Sequence, residues 1–551
     1  MSGAGHCPPA VFYSSTMPWT PAIAPLGSLG LSALAAAIPL AVLFGLLAWG
    51  RLPGWAPAAC AAAAAILVAV AGWRMPAGPA VSAGLQGVAT AIFPIIWIVV
   101  SALWVHSLAV ASGQFEVIRR SLASITGDRR LQALFIAFAF GAFLEGAAGF
   151  GTPVAISAAM LVSLGFEARA AAVLCLIANS SPVAFAAAGI PVAVAAGVSG
   201  IDVVTLGRII GHQVPLLSFI VPLWLCVVLC GWKRSMEVLP ALLVAGLLMA
   251  LTQLLISQFS GPWTAGILSG IVTLAGLWLF LKIWKPRRTW DFPADGQVPA
   301  ERRTPPVPTE SGPRASALAT LRAWFPYLLM SVMVLLWSLG PLVPLLRHGD
   351  FSFGWPGLAG VKFTLPLAST PGTAIFLAAL ISSFILPGVG LRKALRCLLE
   401  TVRSLEGTIL TVCLVLATAF VMNASGMSVT LGGALAATGA LFPLFSPFLG
   451  WLGVLVTGSD TSSNALFGAL QRTTADRLGL NPALMVAANA SGGVAGKMVS
   501  PQSISVATAS AHLEGQEGRL FRSAVGHSLA MTLIIGGITV LQAYVLPGLA
   551  Q

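Results

Sequence analysis

Stretches of about twenty residues without a charge recur along this chain, and no other feature restricts its fold so strongly. Residues 31–50 and 262–281 carry no ionisable side chain, 235–256 carries only Glu237, and 523–546 only His527. Each run is long enough to cross a hydrocarbon core of ~30 Å as a helix. In lipid an unpaired backbone group is so costly that only helices and closed barrels span. A barrel needs alternating strands of about ten residues, and these runs are too long and too uniformly apolar. Composition agrees: the 551 residues are 57% hydrophobic and 8% charged, where a soluble domain carries roughly 25% charged residues. The expected fold class is an all-α polytopic membrane protein with roughly 12–14 transmembrane helices.

The net charge of +12 does not imply nucleic acid, because no aromatic-basic stripe or finger spacing accompanies it. Lys and Arg fall instead in short loops, where they set orientation. Loops with Arg51, Arg119-Arg120, Arg129-Arg130, Lys233-Arg234, Arg392-Lys393-Arg396 and Arg519-Arg522 are expected on the cytoplasmic side. Charge-poor segments 1–30, 200–211, 257–262 and 425–446 then face outward, and both termini are expected to be extracytoplasmic. The first 30 residues hold no Lys or Arg, so 31–50 reads as a span rather than a secretory signal. The seven cysteines show no CxxC spacing. Cys226 and Cys230, one helical turn apart, read as packing thiols, and no metal site or cofactor is expected.

The expected organisation is an N-terminal region 1–80 with two transmembrane helices, a first half 81–283, a Pro- and Arg-rich cytoplasmic linker 284–322, and a second half 323–551. The linker reads as a flexible connection. Each half holds one copy of an unusual motif, within repeats at about 85–201 and 398–511. In the first copy Glu145-Gly146 precedes Gly149-Phe150-Gly151-Thr152-Pro153, then Ala178-Asn179-Ser180-Ser181 and Pro191. In the second, Thr457-Gly458-Ser459-Asp460-Thr461-Ser462-Ser463-Asn464 leads to Ala488-Asn489-Ala490-Ser491 and Pro501. The segment after Gly113 is rich in Arg, whereas that after the matching Gly426 is uncharged, so the copies are expected to lie inverted. Matching Gly/Pro-interrupted segments in two halves point to a transporter binding site at the repeat interface.

Each copy is expected to place a polar break at a helical hairpin tip, and an Asn-x-Ser in the unwound middle of a second element. Half-helix starts present free N–H groups to an anion. Glu145 is the lone ionisable residue between Arg130 and Glu167. It reads either as a proton carrier, since an intramembrane carboxyl is costly when charged, or as a neutral structural group. Asp460 either relays a proton or caps the helix that follows it. Lys497 either meets a substrate carboxylate, pairs with Glu145 or Asp460, or snorkels. Asn179, Ser181, Asn489 and Ser491 either bind substrate or satisfy the helix break. Gln502, Ser462, Ser463 and Asn464 complete the substrate-binding candidates. His106 reads as a packing histidine, and Arg472 as a vestibule or loop residue.

The run Phe143-Leu144-Glu145-Gly146-Ala147-Ala148-Gly149-Phe150-Gly151-Thr152-Pro153-Val154-Ala155-Ile156 closely resembles a signature of the bacterial lactate permease family. So do Leu176-Ile177-Ala178-Asn179, Gly458 to Phe467, and Gly496-Lys497-Met498-Val499-Ser500-Pro501-Gln502-Ser503-Ile504. The resemblance covers about residue 20 to the end and weakens in 284–322. It implies a multi-pass bacterial inner-membrane symporter importing L-lactate, often D-lactate and glycolate, with a proton, and it implies re-entrant hairpins, broken helices and homodimerisation. Thr152 stands where Ala is common in the family and adds a hydroxyl to the expected pocket. Ser180 replaces a common Thr and keeps the hydroxyl. The competing reading is a sodium-coupled carboxylate carrier of the same superfamily. An enzyme is not expected, because no HExxH, GxSxG or paired His ligands occur.

Overall fold

The computed structural model describes residues 23–49, 52–53, 55–123, 125–147, 149, 151–292, 317–337, 342–358, 362–513 and 515–550. Among them, ten helices are long and apolar enough to cross a bilayer. Ala168–Asn179 and Val183–Ser199 form a further span bent by 63°, and shorter apolar helices cover Trp55–Ala71, Pro153–Ser163 and Pro371–Ile385. The ten and the bent pair together give up to eleven candidate spans among the described residues, against the roughly 12–14 expected. One element is not helical. Strands Phe351–Gly354 and Lys362–Leu365 pair antiparallel, with Phe351 opposite Leu365. Trp355 donates its Nε1–H to the Ser82 carbonyl at 3.1 Å, pinning this exposed sheet onto helix Ala77–Thr90.

The same element order occurs twice. A short helix, Gln114–Ala123 or Met427–Leu435, leads towards a helical hairpin. The first hairpin rises through Arg129–Ala133 and Gly141–Ala147 and returns as Thr152–Ser163; the second consists of Phe442–Thr457 and Asp460–Leu478. An interrupted helix follows: Ala168–Asn179 with Ala186–Ser199, and Pro482–Lys497 with Pro501–Ser510. Each segment closes with a 28-residue helix, Val203–Cys230 or Glu517–Tyr544.

The packing between the two segments is reciprocal. Ala186–Ser199 of the first packs on the Asp460–Leu478 arm of the second, while Pro501–Ser510 packs on the Thr152–Ser163 arm. Val203–Cys230 lies along Pro482–Lys497, and Glu517–Tyr544 lies along Ala168–Asn179. Each hairpin is thus held by the interrupted helix of the other segment. Helices Leu29–Trp49, Trp55–Ala71, Ala77–Thr90 and Glu406–Ser425 pack among themselves beside this unit.

Residues 293–316 of the expected linker lie outside the described residues. Its beginning is not the flexible tether that Pro and Arg content suggested. Arg130 donates to the Arg288 carbonyl at 3.0 Å, Arg129 pairs with Asp291 at 2.9 Å, and the Trp290 N–H reaches Asp128 at 3.0 Å. Arg130 is itself buried and also pairs with Glu237 at 2.7 Å. An arginine sealed from water needs every donor satisfied, and the linker carbonyl meets that need. The structure therefore gathers the loops of Arg129-Arg130 and Arg234 and the linker start at one end.

Lipid tails are as apolar as leucine, so small residues that admit close backbone approach hold such helices together. A Cβ on Gly146 would overlap the backbone of Gly266, and one on Gly492 would overlap the Pro447 carbonyl. Gly492 sits where hairpin arm Phe442–Thr457 meets Pro482–Lys497. Gly492→Ala is expected to destabilise the purified protein by about 1–3 kcal/mol through overpacking. Gly526→Ala, in open space on Glu517–Tyr544, is expected to leave the melting temperature unchanged or raised; thermal unfolding of the two variants checks this.

Candidate functional site

Both hairpins turn where the backbone must leave the helical region. Gly149 and Gly151 take φ +62° and +85° at the first tip. Ala148, Phe150 and the side chain of Thr152 lie outside the described residues. At the second tip Gly458 has φ +72°, and Ser459 caps the next helix by accepting the Ser462 N–H at 3.3 Å. The cap is therefore Ser459, not Asp460, the rival that the sequence left open. A serine one residue earlier satisfies the orphan donor and leaves the carboxyl free to point elsewhere.

Between the tips lies a cavity of about 400 Å³ including its open mouth, lined by Glu145, Gly149, Ile190, Pro191, Gly458, Ser459, Asp460, Thr461, Lys497 and Gln502, with Val183, Ala186 and Ala187. Four of the expected site residues meet there: Glu145, Asp460, Lys497 and Gln502. Glu145, Asp460 and Lys497 are 2%, 3% and 6% exposed. Lys497 ends helix Pro482–Lys497 and donates to the Gly458 carbonyl at 2.6 Å. It does not snorkel. An ammonium suits a helix C-terminus, and the carbonyl freed by the turn is its acceptor. Lys497 is electrostatically coupled to both Glu145 and Asp460, yet no ion pair within 4.0 Å joins them among the described residues. Glu145 Oε2 and both Asp460 oxygens are buried outside strict hydrogen-bond geometry, with Asn179 beside Glu145 and Asn464 beside Asp460. Asp460 lies against Gly493, where a side chain would displace it.

The first interrupted helix supplies the remaining wall. Asn179 ends Ala168–Asn179 and lies beside Glu145, with both side-chain polar atoms buried and outside hydrogen-bond geometry. Beyond it Ala187, Ala188 and Gly189 adopt φ +42°, +56° and +76° in succession. Left-handed backbone at two alanines costs of order 1–3 kcal/mol each and survives only where the surroundings enforce it. Gly189 lies against the Pro262 carbonyl, where a Cβ would overlap it.

Several expected substrate ligands have structural partners instead. Ser181 Oγ donates to Ser218 at 2.6 Å, Ser218 to Gln253 at 2.7 Å, and Gln253 returns to the Ser181 carbonyl at 3.3 Å. This closed ring holds the unwound turn. Asn489 is not in an unwound segment: it lies within Pro482–Lys497, and the break follows at 498–500. Just over two helical turns continue past Asn489 before that break, so equal spacing in sequence did not mean equal backbone. Asn489 donates to Asn464 at 2.9 Å and accepts from Gln471 at 3.2 Å; Asn464 donates to the Pro191 carbonyl at 3.1 Å. Asn464 thus ties the second hairpin to the first interrupted helix. Ser463 donates to the Gly450 carbonyl at 2.9 Å, and Ser462 is buried in the first turn of its helix. Ser491 Oγ is buried without a partner but does not line the cavity.

Sequence reasoning did not select Ser459, Thr461, Pro191 and the alanine stretch 186–187 as lining residues. Ser459 and Thr461 stood inside a motif already singled out, but small apolar residues such as Ala187 carry no chemical signal. His106 behaves as a packing histidine, its Nδ1 2.9 Å from the Tyr327 hydroxyl. Arg472 binds the Ser199 carbonyl and lies 3.8 Å from Asp476.

The L-lactate permease family profile matches residues 32–353 and 357–546. The chain belongs to that family. It is 48% identical over 556 residues to the glycolate permease GlcA of Escherichia coli, covering 96% of this chain and 99% of the relative. It is 43% identical over 564 residues to the L-lactate permease of Bacillus subtilis, with the same coverages. The solved structure of MtrF from Neisseria gonorrhoeae aligns over 82% of both chains at TM-score 0.45 and 15% identity. As a member of the L-lactate permease family, with ten candidate spans among the described residues, this permease is a multi-span membrane transporter and not an enzyme.

The Ser181–Ser218–Gln253 ring yields a test of how the permease keeps its turn. Gln253→Leu strands Ser218 and the Ser181 carbonyl, a cost of about 1–3 kcal/mol for unsatisfied buried groups. The expected outcome is a lower melting temperature of the purified permease, with Ser218→Ala lowering it less; equal stability of wild type and Gln253→Leu would remove the ring from the account.

Proposed function

We propose that this permease imports L-lactate and related 2-hydroxymonocarboxylates, glycolate and D-lactate among them, by symport with a proton across the bacterial inner membrane. The names of its relatives, a glycolate permease and an L-lactate permease, support that substrate class, since both substrates are small 2-hydroxymonocarboxylates. The observation that carries the coupling is the burial of Glu145, Asp460 and Lys497 around one cavity. Net charge in a membrane interior is costly. Two carboxyls and one ammonium balance when one proton is retained; adding a monocarboxylate anion balances when a second proton joins. One anion then travels with one proton. First-turn N–H groups at Asp460 and Thr461 lack intrahelical acceptors and suit the substrate carboxylate, with Lys497 beside them. Asn179, whose amide is unpartnered, suits the 2-hydroxyl.

The reciprocal packing of the two segments supports an inverted repeat whose halves alternate access around this cavity. The positive-inside rule supports a cytoplasmic position for the end that gathers Arg129, Arg130, Arg234 and Arg288. A sodium-coupled dicarboxylate carrier fits less well. Lys497 is the lone cationic side chain lining the cavity among the described residues, and a second substrate carboxylate calls for another.

Uptake of labelled L-lactate into vesicles with an imposed pH gradient tests the proposal. Accumulation is expected to follow the gradient, to be competed by D-lactate and glycolate but not succinate, and to be indifferent to sodium. Glu145→Gln is expected to abolish gradient-driven accumulation while sparing lactate–lactate exchange. Undiminished accumulation in that variant would take Glu145 out of the coupling, and a sodium requirement would favour the rival carrier.

A further inference from the structure

Helix Leu391–Ser404 has three faces rather than two. At 3.6 residues per turn, Ala394, Cys397 and Thr401 share one side and are buried. There Ala394 accepts the Trp104 Nε1–H at 2.9 Å and Thr401 meets Ser107 at 2.9 Å. The next side carries Leu391, Leu395, Leu399 and Val402, exposed by 48%, 48%, 60% and 37%. The third carries Arg392, Arg396 and Arg403, all exposed, with Lys393 and Glu400 beyond them. The three arginines project next to the leucine stripe, so guanidinium groups flank an apolar band along most of the helix.

Several other exposed basic residues have partners. Arg119 and Arg120, on the comparable helix Gln114–Ala123, both pair with Glu116 at 2.9 Å. Lys393 caps the Ala111 and Gly388 carbonyls at 2.9 and 3.2 Å. Among the described residues, the side chains of Arg392, Arg396 and Arg403 have no hydrogen bond or ion pair. An exposed leucine stripe bordered by free arginines does not suit bulk water, and it does not suit a purely hydrocarbon surface either. It suits the boundary, where an amphipathic helix buries its apolar face to acyl depth and keeps its charges at headgroup level.

We infer that Leu391–Ser404 lies in the plane of the membrane surface and binds anionic phospholipid, with the leucine stripe against acyl chains and Arg392, Arg396 and Arg403 on the headgroup phosphates. Planar guanidinium groups match phosphate oxygens two at a time. The helix packs on Trp97–Ala111 and continues through Leu405 into Glu406–Ser425, so a lipid held there steadies the junction between two spans. No cavity residue takes part, and the inference stands apart from the proposed transport reaction.

The test uses the full-length protein in detergent, with melting temperature read against added phosphatidylglycerol or phosphatidylcholine. Phosphatidylglycerol is expected to raise the melting temperature of wild type and phosphatidylcholine is not. In the triple variant R392Q/R396Q/R403Q the phosphatidylglycerol needed for the same rise is expected to increase at least about tenfold, since each basic residue near a charged surface contributes to the attraction. The triple lysine variant should retain most of the response, and high salt should weaken it. Glu400→Gln removes the one acidic residue among these arginines and is expected to enhance the response, which carries the test if the glutamine triple does not fold. An equal response in wild type and both charge variants overturns the inference. So does an equal response to soluble glycerophosphate, which would mark a free-anion site independent of the leucine stripe.

Discussion

The hydrogen bond from Lys497 to the Gly458 carbonyl is the contact on which the centre of this molecule depends. A buried hairpin tip leaves a carbonyl without a helical donor. A helix that stops at the same depth ends in an unsatisfied negative dipole. One buried ammonium answers both needs. It also fixes the distance between hairpin tip and helix end, and so the shape of the cavity that Glu145 and Asp460 share. The two carboxyls line that cavity with no ion pair within 4.0 Å to the ammonium among the described residues.

Around that contact the structure spends its hydrogen bonds on backbone interruptions. The Ser181–Ser218–Gln253 ring closes on the turn after Asn179, and the chain from Gln471 through Asn489 and Asn464 ends on the Pro191 carbonyl. These bonds cross between elements that packing alone would leave free to slide, because lipid supplies no hydrophobic force between helices. Close backbone approach at Gly146 and Gly492 provides the dispersion contacts, and the polar chains provide register. Each hairpin is seated on the other segment's interrupted helix.

Some of the site was legible in sequence and some was not, for reasons that differ residue by residue. Glu145 and Lys497 stood out because a charge inside an apolar run is expensive, and both line the cavity. Asp460 stood out within a polar cluster whose sequence left relay and cap both open; Ser459 precedes it and takes the cap. Asn489 was matched to Asn179 by spacing, yet it sits within an intact helix. A glycine-rich helix tolerates Asn when Asn464 and Gln471 satisfy its amide, and those partners are 25 and 18 residues away. The anchoring of the linker's first residues was not legible from composition, because nothing local reveals that Arg130 will be buried and in need of the Arg288 carbonyl.

Sequence alone determined that this chain lives in a bilayer and that a few charged side chains are kept in an apolar setting where its helices break. Those conclusions rest on hydropathy, spacing and the cost of charge in hydrocarbon, which are properties of short stretches. The tertiary structure decided which broken segments face one another, which polar side chains are consumed in holding them, and that the unwound turn of the first unit runs through left-handed alanines at 187 and 188. Those outcomes depend on partners brought together from distant parts of the chain, and whether a buried donor is free or spoken for is a property of the assembled neighbourhood rather than of the residue.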